Sequence, residues 1–146
     1  MSLIENKKVH FNYEMLEEYN AGIELFGYEV KSIRNKKGSL DGAHVTIRGG
    51  EAFLIGMYIP AFQEKNTPKE YDPNRNRRLL LSKKEILELA GYEGEKGLTI
   101  VPISCYNSRK KIKVKLFVAK GKKKQDKRDV IKKREVDRDL RRKLSL

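Results

Sequence analysis

The chain has 146 residues, a net charge of +13, and nearly as many charged residues (36%) as hydrophobic ones (38%). That leaves room for one domain and a polar tail, and one core is feasible at this length without covalent staples. A single cysteine excludes an internal disulfide and a multi-cysteine metal site, and no run of about 18 apolar residues is present to cross a bilayer.

Residues 1–8 are polar and predict a loose start. MSLIENKK has no apolar run behind its charges, so no signal peptide is expected and a cytoplasmic protein is the default. From Val9 the odd positions are apolar: Val9, Phe11, Tyr13, Met15, Tyr19, Ala21, Ile23 and Leu25. Leu16 is the exception and Glu17 breaks the series. A period of two predicts a strand. At about 3.3 Å per residue a straight strand of this length overruns a small domain, so a bend is expected, at Asn20-Ala21-Gly22.

Gly27 ends that strand. Phe26, Val30 and Ile33 then recur at helical spacing with Lys31 and Arg34 opposite, which predicts a short helix closed by Lys36-Lys37-Gly38. Ala43, Val45 and Ile47 alternate with polar residues, and Gly49-Gly50 signals a hairpin. Glu51 to Ile59 returns as its partner, apolar on both sides at Phe53, Leu54 and Ile55 and therefore central. Pro60 to Arg78 has no period and reads as a long basic loop ending in Arg75-Asn76-Arg77-Arg78. Leu79 to Leu81 is a short strand, and at least one of its leucines must point away from the other two.

Ser82-Lys83-Lys84-Glu85 fits a capping box, opening a helix with Ile86, Leu87, Leu89 and Ala90 on its buried side and Gly91 as its stop. Leu98 to Tyr106 is a strand, Asn107-Ser108 a turn, and Lys111 to Ala119 the last strand. There Ile112, Val114, Leu116 and Val118 share one face and Lys111, Lys113 and Lys115 the other.

Six strands with two or three short helices and no βαβ rhythm predict a mainly β domain over residues 1–119. A small, partly open barrel of the oligonucleotide-binding (OB) type is the best candidate, with a β-sandwich as the alternative. Residues 120–146 form a basic tail with 13 Lys and Arg against 5 Asp and Glu. Its Val130, Val136, Leu140 and Leu144 fall within an arc of about 120° on a helix. Four apolar side chains cannot offset the entropy of ordering such a segment, so the tail is expected to be disordered when free and helical on a partner.

The concentration of charge implies an acidic partner, with nucleic acid ahead of an anionic membrane surface. The row Lys111, Lys113, Lys115 reads either as a solvated edge or as a phosphate-tracking surface, and the nearby tail favours the second. Arg75, Arg77 and Arg78 read either as a solvated loop or as forks onto phosphates. A leucine of the 79–81 run, exposed beside a basic groove, could pack on a nucleotide. Most of the seven tyrosines fall on apolar faces and read as core or barrel rim. His10 and His44 have no carboxylate pair at a catalytic spacing, and Cys105 sits in an apolar strand, so neither catalysis nor a metal is expected.

Several motifs then carry a specific likeness: Asn6-Lys7-Lys8, Ala21-Gly22-Ile23, Gly27-Tyr28-Glu29-Val30-Lys31-Ser32-Ile33-Arg34, Gly50-Glu51-Ala52-Phe53-Leu54, Asp72-Pro73, Arg77-Arg78-Leu79-Leu80-Leu81, and Val118-Ala119-Lys120-Gly121-Lys122-Lys123 followed by Asp126-Lys127-Arg128. With these in order, the chain resembles the SsrA-binding protein family, SmpB, over nearly its whole length. The resemblance implies an OB-type barrel that holds the tRNA-like domain of transfer-messenger RNA (tmRNA) and is not an enzyme. It implies delivery of that RNA, with elongation factor Tu, to stalled bacterial ribosomes in trans-translation. It also implies a tail that becomes helical in the empty mRNA channel near the small-subunit decoding centre.

The expected RNA-facing residues are Asn6, Lys7, Asn20, Lys31, Arg34, Arg77, Arg78, Leu80 and Lys113. The resemblance carries over Asn20, Leu80 and Lys113 by position. The expected ribosome-binding tail holds Lys120, Gly121, Lys122, Lys123, Asp126, Lys127 and Arg128. Asn20 stands where the family usually has Glu. Gln125 stands where some relatives have an aromatic residue or His, so it would bond where they stack. No cofactor is expected, and the chain is expected to be a monomer. The alternatives are a general single-strand RNA binder or ribosomal protein with the same barrel, and a small nuclease.

Overall fold

The computed structural model describes residues 2–63, 65 and 67–122. Seven strands and three helices occur among them: β1 (Ser2–Glu5), α1 (Val9–Asn12), β2 (Tyr13–Ile23), α2 (Gly27–Arg34), β3 (His44–Arg48), β4 (Glu51–Ile55), β5 (Arg77–Leu80), α3 (Lys83–Glu93), β6 (Leu98–Ser108) and β7 (Lys111–Gly121). All strand pairs are antiparallel. The order β6-β3-β4-β5-β2-β7 closes on itself through β6–β7, and β1 attaches to β6 outside the ring. The fold is mainly β, a closed OB-like barrel, and closure rules out the sandwich.

Alternation explains the inside of the barrel. Ile112, Val114, Leu116 and Val118 of β7, Tyr19, Ala21 and Ile23 of β2, Val45, Leu54, Leu79 and Ile100 all point inward and are buried. Burying a side chain of this kind contributes about 1.5–3 kcal/mol, so this shared interior is the main support of the ring. The hairpin β3–β4 turns at Gly49-Gly50, both at positive φ as such a turn demands. β4 lies between β3 and β5, the central place expected from its two apolar sides. The box at Ser82 forms: Ser82 Oγ accepts from Glu85 N (3.2 Å) and Glu85 Oε1 from Ser82 N (3.0 Å).

Several expectations are corrected. Residues 2–8 are not loose: Ser2–Glu5 pair with Ser104–Tyr106, and Asn6 N donates to Ile103 O. The long first strand is divided, because Val9–Asn12 form a helical turn laid over the outside of the barrel. Val9 is buried there with Val101 and Ala119, against Tyr13, Met15, Ile103 and Phe117. The irregularity of β2 lies at Leu16, not at Asn20-Ala21-Gly22. Met15 pairs with Ala119 and Glu17 with Val118, so Leu16 is one residue in excess, a bulge.

β5 begins at Arg77 rather than Leu79. α3 runs past Gly91 to Glu93 with Leu87 and Ala90 facing outward, leaving Leu89 as its buried residue. The β6–β7 turn is not Asn107-Ser108, which pair with Ile112 and Lys111, but Arg109-Lys110, both at positive φ. β7 continues through Lys120 and Gly121, so the expected boundary at residue 119/120 falls inside a strand.

Candidate RNA interface

The inward phase of each strand dictates what stands outside. Leu79 points in, so Leu80 points out and is 48% exposed. Ala21 and Ile23 point in, so Asn20 and Gly22 point out. Val114 points in, so Lys113 and Lys115 point out. Strand register then assembles one row across four strands: Leu80 of β5 pairs with Gly22 of β2, Gly22 with Lys113 of β7, and Lys113 with Tyr106 of β6.

Glycine leaves room at the centre of this row. A Cβ at residue 22 would lie 3.2 Å from Leu80 Cβ, so its absence lets Leu80 lie over the strand. An open groove of about 240 Å3 runs beside the row, lined by Leu25, Val30, Arg34, Lys110 and Lys111 together with Leu80 and Lys113. Its floor is aliphatic and its rim carries four cations. Arg34 also donates to Lys110 O (2.7 Å), fixing the strained Arg109-Lys110 turn to α2 and holding Lys110 at the rim.

Beyond the groove the expected residues divide. Lys7 and Lys31 are exposed but lie elsewhere on the surface, Lys7 beside Ser2, His10 and Lys115, and Lys31 beside Tyr28 and Phe62. Arg78 is exposed on the outer face of β5, where it pairs with Glu24 (3.1 Å) and Glu51 (3.5 Å). Two of the expected residues are buried. Asn6 is buried and its amide donates to Leu40 O (3.2 Å) and Pro102 O (3.1 Å), tying the chain start to the barrel wall.

Arg77 is fully buried. Its guanidinium binds Glu29 Oε2 twice, through Nε (3.0 Å) and Nη2 (2.6 Å), and donates to Met57 O and Pro73 O. Glu29, also fully buried, accepts from Phe26 N (2.8 Å) at the start of α2, from Arg75, and at 2.9 Å from the Tyr71 hydroxyl. Arg75 lies 4.1 Å over the Phe26 ring. Burial pushes the Glu29 carboxyl up, but the bonds from Arg75, Phe26 N and Arg77 outweigh it and hold the group below its ordinary range. The loop after β4 is thus pinned to α2 by charges that a polar loop in the sequence disguises as surface.

With this geometry in view, the likeness to known proteins is direct. The SmpB protein family model matches residues 3–146. The chain belongs to the SmpB family. An SsrA-binding protein of Elusimicrobium minutum is 49% identical over 92% of this chain and 85% of its own length, and one of Thermosipho africanus is 49% identical over 92% and 91%. A solved tmRNA-SmpB chain from the bacterial ribosome superposes with a TM-score of 0.69 at 40% identity, over 88% of this chain and 93% of that one.

Within this SmpB barrel, Leu80, Lys113, Arg34 and Asn20 come together on one face, and Asn6 and Arg77 stay outside the set. Sequence reasoning passed over Val30 and Lys110 as groove residues and Tyr106 as a member of the outer row. β6 slips in register between Pro102 and Ser104, so no alternation marks Tyr106, and the Arg-Lys turn left no signal either, since neither residue is a usual turn former. Of the expected tail residues, Lys120 and Gly121 pair with Glu14 and Tyr13, and Lys122 N donates to Asn12 O (2.9 Å). Lys123, Gln125, Asp126, Lys127 and Arg128 lie outside the described residues.

Proposed function

We propose that this protein is an RNA-binding factor of trans-translation: it holds the tRNA-like domain of tmRNA on its barrel and accompanies it to stalled ribosomes. The observation that carries this reading is the row Leu80–Gly22–Lys113 beside the basic groove. Shape, an aliphatic contact and phosphate-seeking cations on a rigid sheet suit a folded RNA, whose backbone is recognised largely by form and charge. Membership of the SmpB family and the likeness to a tmRNA-SmpB chain support the same partner. No catalytic step is assigned to the chain. Elongation factor Tu joins the delivered complex, and residues 123–146 supply the ribosome-facing arm, a reading that rests on their basic sequence.

The test compares the full chain on a tRNA-like hairpin domain and on a length-matched unstructured RNA, at moderate salt. A clear preference for the folded RNA, weakened by Lys113→Ala, is the expected result. Equal binding to both would leave a general RNA binder and overturn the proposal. Neutralising six phosphates gives a log–log salt slope of roughly −4 to −5, and removing Lys113 should reduce it by about 0.7–0.9.

A chain ending at Lys122 keeps every described strand pair. It should bind the RNA nearly as well as the full chain and fail to support tagging on stalled ribosomes. Loss of tight RNA binding in that shortened chain would refute the division of labour.

A further inference from the structure

The β6–β7 hairpin turns on two residues, Arg109 and Lys110, since Ser108 already pairs with Lys111. Both lie at positive φ, 47° and 69°. Turns of this kind are ordinarily made from Asn-Gly, Asp-Gly or Gly-Gly, which enter the left-handed region at little cost. Arg and Lys lack both the missing Cβ of glycine and the short polar side chain of Asn or Asp, so each is strained there. The turn is held all the same. Strand pairing closes it, and Arg34 Nη2 donates to Lys110 O at 2.7 Å. Such strain persists where the surroundings over-determine the backbone, and it gathers at binding sites.

What the strained turn presents is charge. Arg109, Lys110 and Lys111 follow one another and all are exposed. Among the described residues no carboxylate forms an ion pair with any of them or with Arg34. Lys110 and Lys111 line the groove and Arg109 stands outside its lining, so the tip carries the basic surface past the groove. Lys110 precedes Lys113 by three residues, about 10 Å of extended chain, so the tip can take a phosphate of its own. Asn-Gly at the same two positions would make the turn without strain and without charge.

We propose that the Arg109-Lys110 tip is a further phosphate-binding site for the RNA backbone, separate from Lys113, and that the turn carries its left-handed strain to place two cations there. This inference rests on the reading that the Leu80–Lys113 face binds RNA.

The test replaces the turn in the full chain by Arg109→Asn with Lys110→Gly. Affinity for the tRNA-like domain is measured across a salt series, and thermal stability is followed in parallel. Tm should stay at the native value or rise, because the replacement relieves the strain. Binding at moderate salt should weaken roughly 10-fold or more, and the log–log salt slope should shrink by about 1.4–1.8, the share of two phosphate contacts. Lys96→Gln is the charge control: it removes an exposed cation just before β6, at the end of that strand away from the tip, and should leave the slope unchanged. Native affinity and slope in the double variant, a Tm below native, or an equal loss per charge in Lys96→Gln would overturn the inference while the RNA face stands. A native chain that does not distinguish the tRNA-like domain from unstructured RNA would remove the functional reading itself, and this inference with it.

Discussion

Replacing Arg77 by Met separates a core cation from an RNA-binding one. Arg77 and Glu29 are both fully buried and joined by two hydrogen bonds. Met keeps the aliphatic stem and removes the charge, leaving Glu29 with Arg75, Tyr71 and Phe26 N. Breaking one side of a buried pair costs about 3–5 kcal/mol, because the other charge stays in a medium that solvates it poorly. For a body of this size about 1 kcal/mol moves Tm by roughly 3–5 °C, so a fall of about 9–25 °C is expected. Arg78→Met is the control. Arg78 is 44% exposed with surface partners, and its loss should change stability by less than about 1 kcal/mol. Calorimetry or urea melts read the stability, and RNA affinity measured across a salt series below the melting transition reads the charge. Arg77→Met should unfold early yet keep the native salt slope while folded. A native Tm together with a slope reduced by about 0.7–0.9 would refute the burial argument and return Arg77 to the RNA face.

Three further outcomes are expected. Because the Glu29 carboxyl is held below its ordinary range in the fold, the unfolded chain takes up its proton first as pH falls. The stability it contributes is therefore present above about pH 4.5, its ordinary value, and drains away toward the lower folded value. Urea midpoints across that window should converge between the native chain and Glu29→Gln as acid is added, and a constant gap would contradict the assignment. Gly22→Val places side-chain atoms where a Cβ already meets Leu80 Cβ at 3.2 Å, so RNA affinity should fall at least as far as in Leu80→Ala while the fold persists, and native affinity would show that the Leu80 position is immaterial. The buried Cys105 thiol is pushed up to about 12, so a thiol reagent near neutral pH should label it at the rate of unfolding and not before; rapid labelling of the folded chain would refute its burial.

How much of this was legible follows from the kind of signal each element carries. β7 announced itself, because a period of two over Ile112 to Val118 has one physical reading once a core exists to receive it, and the same alternation set Lys113 outward. The Leu79–Leu81 run required an outward leucine on geometry alone, and Leu80 is that residue. The bulge was also written in the chain, as the phase slip at Leu16 and Glu17. The glycine at residue 22 competed with it as a place to bend and was the wrong choice, since that glycine serves the approach of Leu80. Val9–Asn12 has too few residues for helical and strand periods to be told apart, and only the tertiary site over Val101 and Ala119 decides it.

The arginines failed for a different reason. Composition says where cations are abundant but not which of them a distant carboxylate will draw inward. Arg77 lies 48 residues from Glu29, and no local pattern joins them. Within the basic segment Arg75–Arg78, Arg77 and Arg78 occupy opposite faces of one strand, so the pleat sends the first to Glu29 and leaves the second with Glu24 and Glu51 at the surface. Net charge alone would have counted both toward RNA. Lys113 differs from both: its strand phase points outward beside the exposed Leu80, and among the described residues no carboxylate pairs with it.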